Sequence, residues 1–231
     1  MPAFLNDLTK FYGTGEKNSE GQSLEKFLEG YDSRKYETPS CTTDAVIFSY
    51  NNEADLNHNA PVLKLLMVKR SNHPSIGYWA LPGGFANMRE DLDMTAKREL
   101  EEETGVIGLH MEQLATYGNM DRDPRTRVIT TAYMALVQEK EVKVQAGDDA
   151  ADAAWCEVNV VKEKEEANEN IFRLYIVQQE KGLDTEAVVR HTYSNGLIRE
   201  ENYEVINGGM IAVDHAAIIV QAYETIRNRI N

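Results

Sequence analysis

The apolar positions of the chain follow two periods. Alternating or continuous apolar runs, bounded by polar turn residues, predict strands at Cys41 to Tyr50 (CTTDAVIFSY), Leu63 to Lys69 (LKLLMVK), Val128 to Val137 (VITTAYMALV) and Ala153 to Val158. The loop NNEADLNHNAP separates the first two. A helical period takes over elsewhere. Asp91 to Thr104 contains neither Gly nor Pro, is rich in Leu, Met, Ala, Lys, Arg and Glu, and ends at Gly105, where a left-handed residue closes a helix. Leu92, Ala96 and Leu100 recur there at i, i+4 and i+8, a stripe that seats the helix on a core. From about Asp214 to Arg229, Ile219, Tyr223 and Ile226, with Ile230 just beyond, describe a second amphipathic helix. Strands flanking these helices predict an α/β/α sandwich.

Two regions stand apart. The first forty residues are mostly polar, and Leu24, Phe27, Leu28 and Tyr31 are spaced to give a short helix after Ser23 and before Gly30. Residues 1–40 are therefore read as an N-terminal helical arm, docking on the domain or on a partner subunit, and residues 41–231 as the main domain. Between about 171 and 210, FRLYIVQQ, AVVRHTY and EENYEVI read as short strands with Ser194-Asn195-Gly196 as a turn, a small antiparallel β insertion before the last helix. It would cover either the active site or a dimer interface. Lys162 to Glu169, KEKEEANE, reads as a charged, solvated connector.

Composition narrows the classes. A chain of 231 residues with 42% hydrophobic residues forms one domain with additions and a sizeable core. A formal net charge of -14 opposes nonspecific binding to nucleic acid or anionic membrane, and requires that an anionic ligand be drawn in by local cations or metal. Cys41 and Cys156 form no CxxC pair, and His58, His73, His110, His191 and His215 lack ligand spacing, so neither a disulfide framework nor a zinc site is supported. No basic segment followed by an apolar run opens the chain and no stretch is long enough to span a bilayer, so a cytoplasmic protein is expected.

The candidate chemistry sits on the first helix. Glu99, Glu102 and Glu103 stand at i, i+3 and i+4 and share one face, and the adjoining Arg98 cannot neutralise all three. Hard oxygen ligands in this number suit Mg²⁺ or Mn²⁺ completed by water and substrate phosphates, although a glutamate-rich helix face is ordinarily just solvated. Upstream, Pro82-Gly83-Gly84 within GYWALPGGF marks a tight turn where backbone approaches a ligand closely. From Gly84 to Val106 the sequence reads G, five residues, Glu90, seven residues, then Arg98-Glu99-Leu100-X-Glu102-Glu103-X-Gly105-Val106. Seven fixed identities and two aliphatic positions coincide by chance on the order of once in 10⁹ starts.

This run resembles the Nudix box at every fixed position, and the chain is identified as similar to the Nudix hydrolases. The resemblance implies a Nudix α/β/α sandwich with a mixed β-sheet and a loop–helix metal unit. In it the Gly83 carbonyl and the carboxylates of Glu99, Glu102 and Glu103 hold metal, while Arg98 pairs with Glu90 and orients the loop. Glu90 is left between that role and handling the proton of the attacking water. The implied reaction is Mg²⁺-dependent hydrolysis of a nucleoside diphosphate linked to another group, since divalent ions neutralise the diphosphate and acidify a bound water. In many relatives the general base lies outside the box, before a late strand. The matching stretch GDDAADAAW offers Asp148, Asp149 and Asp152, of which Asp149 is the favoured candidate.

Outside the box, DRDPRTRVITTAYMALV (Asp121 to Val137), IAVDHAAII (Ile211 to Ile219) and YDSRKYETPS (Tyr31 to Ser40) resemble a Nudix subset that acts on ADP-ribose or serves as a sensor in regulators of NAD metabolism. Arg70, Arg125 and Arg127 would bring cations to a phosphate or ribose, or else pair with Asp121 and Asp123. Trp79 would stack on a base or pack in the core. The favoured substrate is ADP-ribose, giving AMP and ribose 5-phosphate. A homodimer is the family-level expectation. The competing readings are a ligand sensor in a transcriptional regulator and a housecleaning nucleoside triphosphate pyrophosphatase. Such regulators carry a basic winged helix after the domain and often lose box carboxylates. Lys181 to Asn231 holds five Lys or Arg against seven Asp or Glu, which argues against a DNA-recognition module there.

Overall fold

The computed structural model describes residues 4–56, 61–145, 150–198 and 200–230. It divides into two units, Met1–Thr38 and Pro39–Asn231. In the first, α1 (Leu24–Gly30) begins where Ser23 Oγ accepts the Lys26 N–H at 3.4 Å, the capping expected of serine at that position. Phe27 and Tyr31, one turn apart on it, bring their rings to 5.8 Å.

The second unit is built on one mixed sheet. In chain order its strands are β1 (Ser40–Tyr50), β2 (Leu63–Arg70), β3 (Trp79–Ala80), β4 (Gly83–Phe85), β5 (Glu112–Tyr117), β6 (Val128–Gln138), β7 (Ala150–Glu166), β8 (Glu169–Gln178), β9 (Leu183–Tyr193) and β10 (Glu201–Asn207). Across the sheet they run β10-β9-β8-β7-β2-β1-β6-β5, with β3 paired to β2 and β4 to β1. Only the β1–β6 pairing is parallel among the named strands. Strand β1 is buried without a break from Thr43 to Ser49, as a strand covered on both faces must be. Val46 and Phe48 face the core shared with α3 (His215–Ile230), while Ala45 and Ile47 face the smaller core that holds Leu100 of α2 (Leu92–Thr104). This alternation makes the three layers of the sandwich.

The sequence differs from the structure at β7 and beyond. The strand expected over Ala153 to Val158 and the charged connector after it are one strand of 17 residues, Ala150–Glu166. Its first part pairs with β2 and its second with β8. Lys162 to Glu166 belong to the strand because they stay in register with β8 as far as Glu166 opposite Glu169, and on the exposed face Glu163 is engaged by Arg173 Nε of that neighbouring strand. The antiparallel segment expected before the last helix is present and extends the main sheet by β8, β9 and β10. Strand β5 was not anticipated. EQLATY is a short run with little burial contrast at an edge of the sheet.

Candidate active site

Helix α2 presents the glutamates because its ends and its inner face are fixed. Asp91 precedes it in an extended conformation, and Gly105 ends it at φ +69°, with its N–H on the Glu101 carbonyl. Thr95, Ala96, Leu100 and Thr104 are buried beneath it, whereas Leu92 is only partly so. Glu99 and Glu103 are thereby turned toward β4, while Glu102 stands exposed beside Arg98.

Arg98 is the hub of this face. Its Nε meets Glu90 Oε1 at 3.0 Å and its Nη2 meets Glu90 Oε2 at 3.0 Å and the Phe85 carbonyl at 3.1 Å. Its Nη1 spans Glu99 at 2.7 Å and Glu102 at 2.9 Å. Glu90 also accepts the Thr95 hydroxyl at 3.0 Å. Arg98 above all, with Thr95 and the Asn87 amide, pulls the Glu90 carboxyl down to about 2. Glu103 is used differently, accepting the Gly83 N–H at 3.0 Å. Burial pushes its carboxyl up to about 7, and burial also raises Glu99.

The two glycines are required by close approach rather than by backbone torsion. In register, Gly83 lies opposite Asp44 and Gly84 opposite Thr43. A Cβ on Gly83 would run into the Thr43 carbonyl, and one on Gly84 would lie 2.5 Å from the Glu99 carboxyl carbon. Among the described residues, no three His, Cys, Asp or Glu side chains are already gathered as a metal cage. The donor set nevertheless fits a divalent cation. Glu99, Glu102 and Glu103 supply hard oxygens on one face, and the Arg98 guanidinium stands between the first two as a cationic stand-in.

A cavity of about 340 Å³ opens beside this loop, lined on one side by Gly83, Gly84, Phe85 and Glu103 and on the other by Lys69, Arg70, Arg122 and Arg125. Of the four sequence-predicted substrate contacts, the structure brings two to this cavity. Arg70 sends Nε to the Pro74 carbonyl at 2.7 Å, and Arg125 is held by Asp123 at 2.8 Å with its guanidinium 5.3 Å from the centre of the Phe85 ring. Arg127 instead donates to the carbonyls of Asn119 at 2.8 Å and Gly118 at 2.5 Å and is not in the lining. Trp79 is 3% exposed and belongs to the main core, where its ring packs rather than meets a ligand. Asp152 is paired with Lys181 at 2.8 Å. Asp148 and Asp149 lie outside the described residues.

The cavity wall includes a buried polar network, Arg122, Asp44 and His215, that the sequence reading did not single out. Arg122, its side chain 8% exposed, donates through Nε and Nη2 to the two oxygens of Asp214, both at 2.9 Å, and lies 3.6 Å from Asp44. Asp44 accepts the Thr130 hydroxyl at 2.7 Å. His215 stands 3.6 Å from Asp44 through Nε2 and accepts the Leu81 N–H through Nδ1 at 2.9 Å. The available signal was Asp44 itself, the one charged residue of β1, which needs a buried partner because the apolar run Ala45 to Phe48 follows it directly.

The NUDIX domain family model matches residues 45–175, over half of the chain. The protein belongs to the Nudix family. Among Nudix relatives, the chain is 38% identical over 125 residues to the ADPR responsive transcriptional repressor NtrR of Acinetobacter baylyi, covering 53% of this chain and 47% of that one. It is 33% identical over 154 residues to the ADP-ribose pyrophosphatase of Methanocaldococcus jannaschii, covering 65% of this chain and 83% of that one. The solved NUDIX domain of Shewanella oneidensis NrtR, complexed with ADP ribose, is 27% identical with a TM-score of 0.59, over 89% of this chain and 99% of that one. The chain thus spans about half the length of the repressor and most of the pyrophosphatase. Among the described residues no helix is long and apolar enough to cross a membrane.

Proposed function

We propose that this Nudix protein is a Mg²⁺-dependent hydrolase that cleaves the diphosphate of ADP-ribose to AMP and ribose 5-phosphate, with Mn²⁺ able to replace Mg²⁺. The observation that carries the reading is the adjacency of the two halves of the site: Glu99, Glu102 and Glu103 on one side of the loop, and Arg70, Arg122 and Arg125 along the cavity beside it. In a chain of net charge -14, that local cluster of cations is what an anionic nucleotide needs. ADP-ribose is favoured because the repressor and pyrophosphatase relatives named above and the ligand-bound NUDIX domain are described by it.

The metal, when bound, neutralises the diphosphate and lowers the pKa of the attacking water. Glu99, Glu102, Glu103 and the Gly83 carbonyl would hold it. Arg98 would keep Glu90 ionised and the loop seated, and a carboxyl held at about 2 is too weak a base to accept a proton efficiently near neutrality. The proton of the water is therefore assigned to Asp149. Of the other carboxylates in that stretch, Asp152 is engaged by Lys181. Arg70 and Arg125 would bind phosphate or ribose. Arg127 and Trp79, committed to the Gly118 and Asn119 carbonyls and to the core, are weaker candidates. A cytoplasmic homodimer that binds neither nucleic acid nor membrane completes the reading.

The repressor relative supports one alternative, a domain that senses ADP-ribose without hydrolysing it. A product assay with Mg²⁺ decides, run on ADP-ribose, NADH, sugar nucleotides, dinucleoside polyphosphates and oxidised nucleoside triphosphates, with Glu102→Gln alongside. Turnover of ADP-ribose, lost by on the order of a hundredfold or more in the folded variant, is expected. Tight ADP-ribose binding with no turnover of any compound establishes the sensor, and preference for oxidised triphosphates the housecleaning enzyme.

A further inference from the structure

His215 opens α3, far in sequence from the box, yet it touches the loop that carries Gly83 and Gly84. The residue is 7% exposed, with Nδ1 in a hydrogen bond and Nε2 facing a carboxylate. Nδ1 must be the acceptor of the Leu81 N–H at 2.9 Å, because a backbone amide only donates. The proton of the neutral ring then sits on Nε2, which faces Asp44 at 3.6 Å. The segment that delivers His215 is itself tied to the same stretch of chain: Trp79 N–H donates to the Met210 carbonyl at 2.9 Å and Ala212 N–H to the Trp79 carbonyl at 2.8 Å. On the opposite side the loop is held by β1, where Ala45 N–H donates to the Pro82 carbonyl at 2.8 Å. Leu81 to Gly83 is thus clamped between β1 and the start of α3.

The backbone bears a cost for this arrangement. Val213, two residues before His215, lies at φ +47°, a conformation that β-branched residues avoid and that persists only where the surroundings impose it. The tolerance at the other end of the clamp is small: Gly83 N–H meets Glu103 at 3.0 Å, and Gly84 leaves no room for a methyl group against Glu99.

We propose that His215 is a positioning residue of the metal loop: by holding the Leu81 amide it sets the seat of Gly83 and Gly84 against Glu99 and Glu103. The kinetic part of this proposal rests on the hydrolase reading, while the metal-binding part does not.

The test compares wild type with His215→Phe, which keeps a planar ring but loses the acceptor, and His215→Asn, which restores an acceptor of similar reach. Mn²⁺ binding is read by electron paramagnetic resonance of the free ion without substrate. The kcat and KM for ADP-ribose with Mg²⁺, and the Tm, are measured beside it. His215→Phe is expected to weaken Mn²⁺ binding about tenfold and to lower kcat about as much with KM within about twofold, the scale of lost outer-shell support. His215→Asn should recover both to within about threefold of wild type. Unchanged Mn²⁺ affinity in the Phe protein overturns the proposal, as does equal loss in Phe and Asn in step with Tm, which would make His215 a packing residue. Should the Phe protein fail to fold, hydrogen exchange of wild type decides: a protected Leu81 amide supports the clamp and a freely exchanging one overturns it. If wild type hydrolyses no diphosphate, the hydrolase reading falls while the Mn²⁺ comparison still decides the role of His215. A wild type that binds no Mn²⁺ overturns both.

Discussion

Arg98 grips Glu90 fork to fork, Nε on Oε1 and Nη2 on Oε2, each at 3.0 Å, and so closes the residues after Gly84 onto the helix that carries the metal-facing glutamates. The pair uses only part of the guanidinium. Nη1 is left for Glu99 and Glu102, so one side chain both locks the loop and spaces two carboxylates that would otherwise repel one another.

Arg98→Lys tests that double duty. An ammonium is a point charge that cannot serve Glu90 bidentately and reach the Phe85 carbonyl and Glu99 as well. Activity should fall on the order of ten- to a hundredfold, with weaker Mn²⁺ binding and a Tm lower by only a few degrees. Activity within about twofold of wild type would show that charge alone is needed at this position.

Gly84→Ala separates the site from the fold. The added methyl would lie 2.5 Å from the Glu99 carboxyl carbon, and the side chain of Glu99, not the backbone, is what must give way. Metal affinity and turnover should drop together by on the order of tenfold or more, while Tm moves by no more than a few degrees. A large loss of Tm with intact metal affinity would place the role of Gly84 in the fold instead.

The helix and the inner strands were legible because their signals are local. Gly105 after a Gly- and Pro-free run ends α2 where it should, and the continuous apolar run Ala45 to Phe48 marks β1 as a strand covered on both faces. The spacing of Glu99, Glu102 and Glu103 puts them on one face without any tertiary information. What escaped is non-local. Nothing near His215 shows that its ring meets Leu81, 134 residues away in sequence. Nor does DRDPRTR reveal that Arg122 turns inward to Asp214, while Arg127 caps the carbonyls of Gly118 and Asn119. The reach of β7 escaped for a related reason: Lys162 to Glu166 have the composition of a connector, and it is their pairing with β8 across the hairpin, with Glu163 on Arg173, that makes them strand.

Glu103 gives the metal-free protein a particular pH dependence. Burial first of all lifts its carboxyl from the ordinary 4.5 to about 7, so between these values the folded state holds a proton that the unfolded chain has released. Folding stability is therefore lost as pH rises through that window, by at most about 3.5 kcal/mol at roughly 1.4 kcal/mol per pH unit. In EDTA, urea titrations of Glu103→Gln should lack this loss, so that the variant gains on wild type from pH 5 to 8. Parallel curves for the two proteins would refute the raised value.

Arg122 and Asp214 are a buried bidentate pair, and removing one member leaves an uncompensated charge. Arg122→Met should cost about 3 kcal/mol, which for a chain of this size lowers Tm by roughly 6 to 12 °C. Adding Asp214→Asn should recover part of the loss, since the remaining group no longer carries a charge. A double variant less stable than the sum of the two single changes would mean that the pair is not the unit that stabilises this turn.

Val213 offers the opposite prediction, a substitution that stabilises. Its φ of +47° is poorly suited to a β-branched side chain, whereas asparagine visits the left-handed region readily. The side chain is 40% exposed, so little apolar burial is forfeited. Val213→Asn should gain about 1 kcal/mol, a rise of roughly 2 to 4 °C in Tm. Because Val213 also lines the cavity and precedes the residues that hold Arg122 and Leu81, kinetics beside the melting curve tell what the strain does. A stabler protein with unchanged kcat means that the strained turn is only a by-product of the chain's path into α3. A stabler protein with lower kcat means that the strain helps to set the seat of the loop.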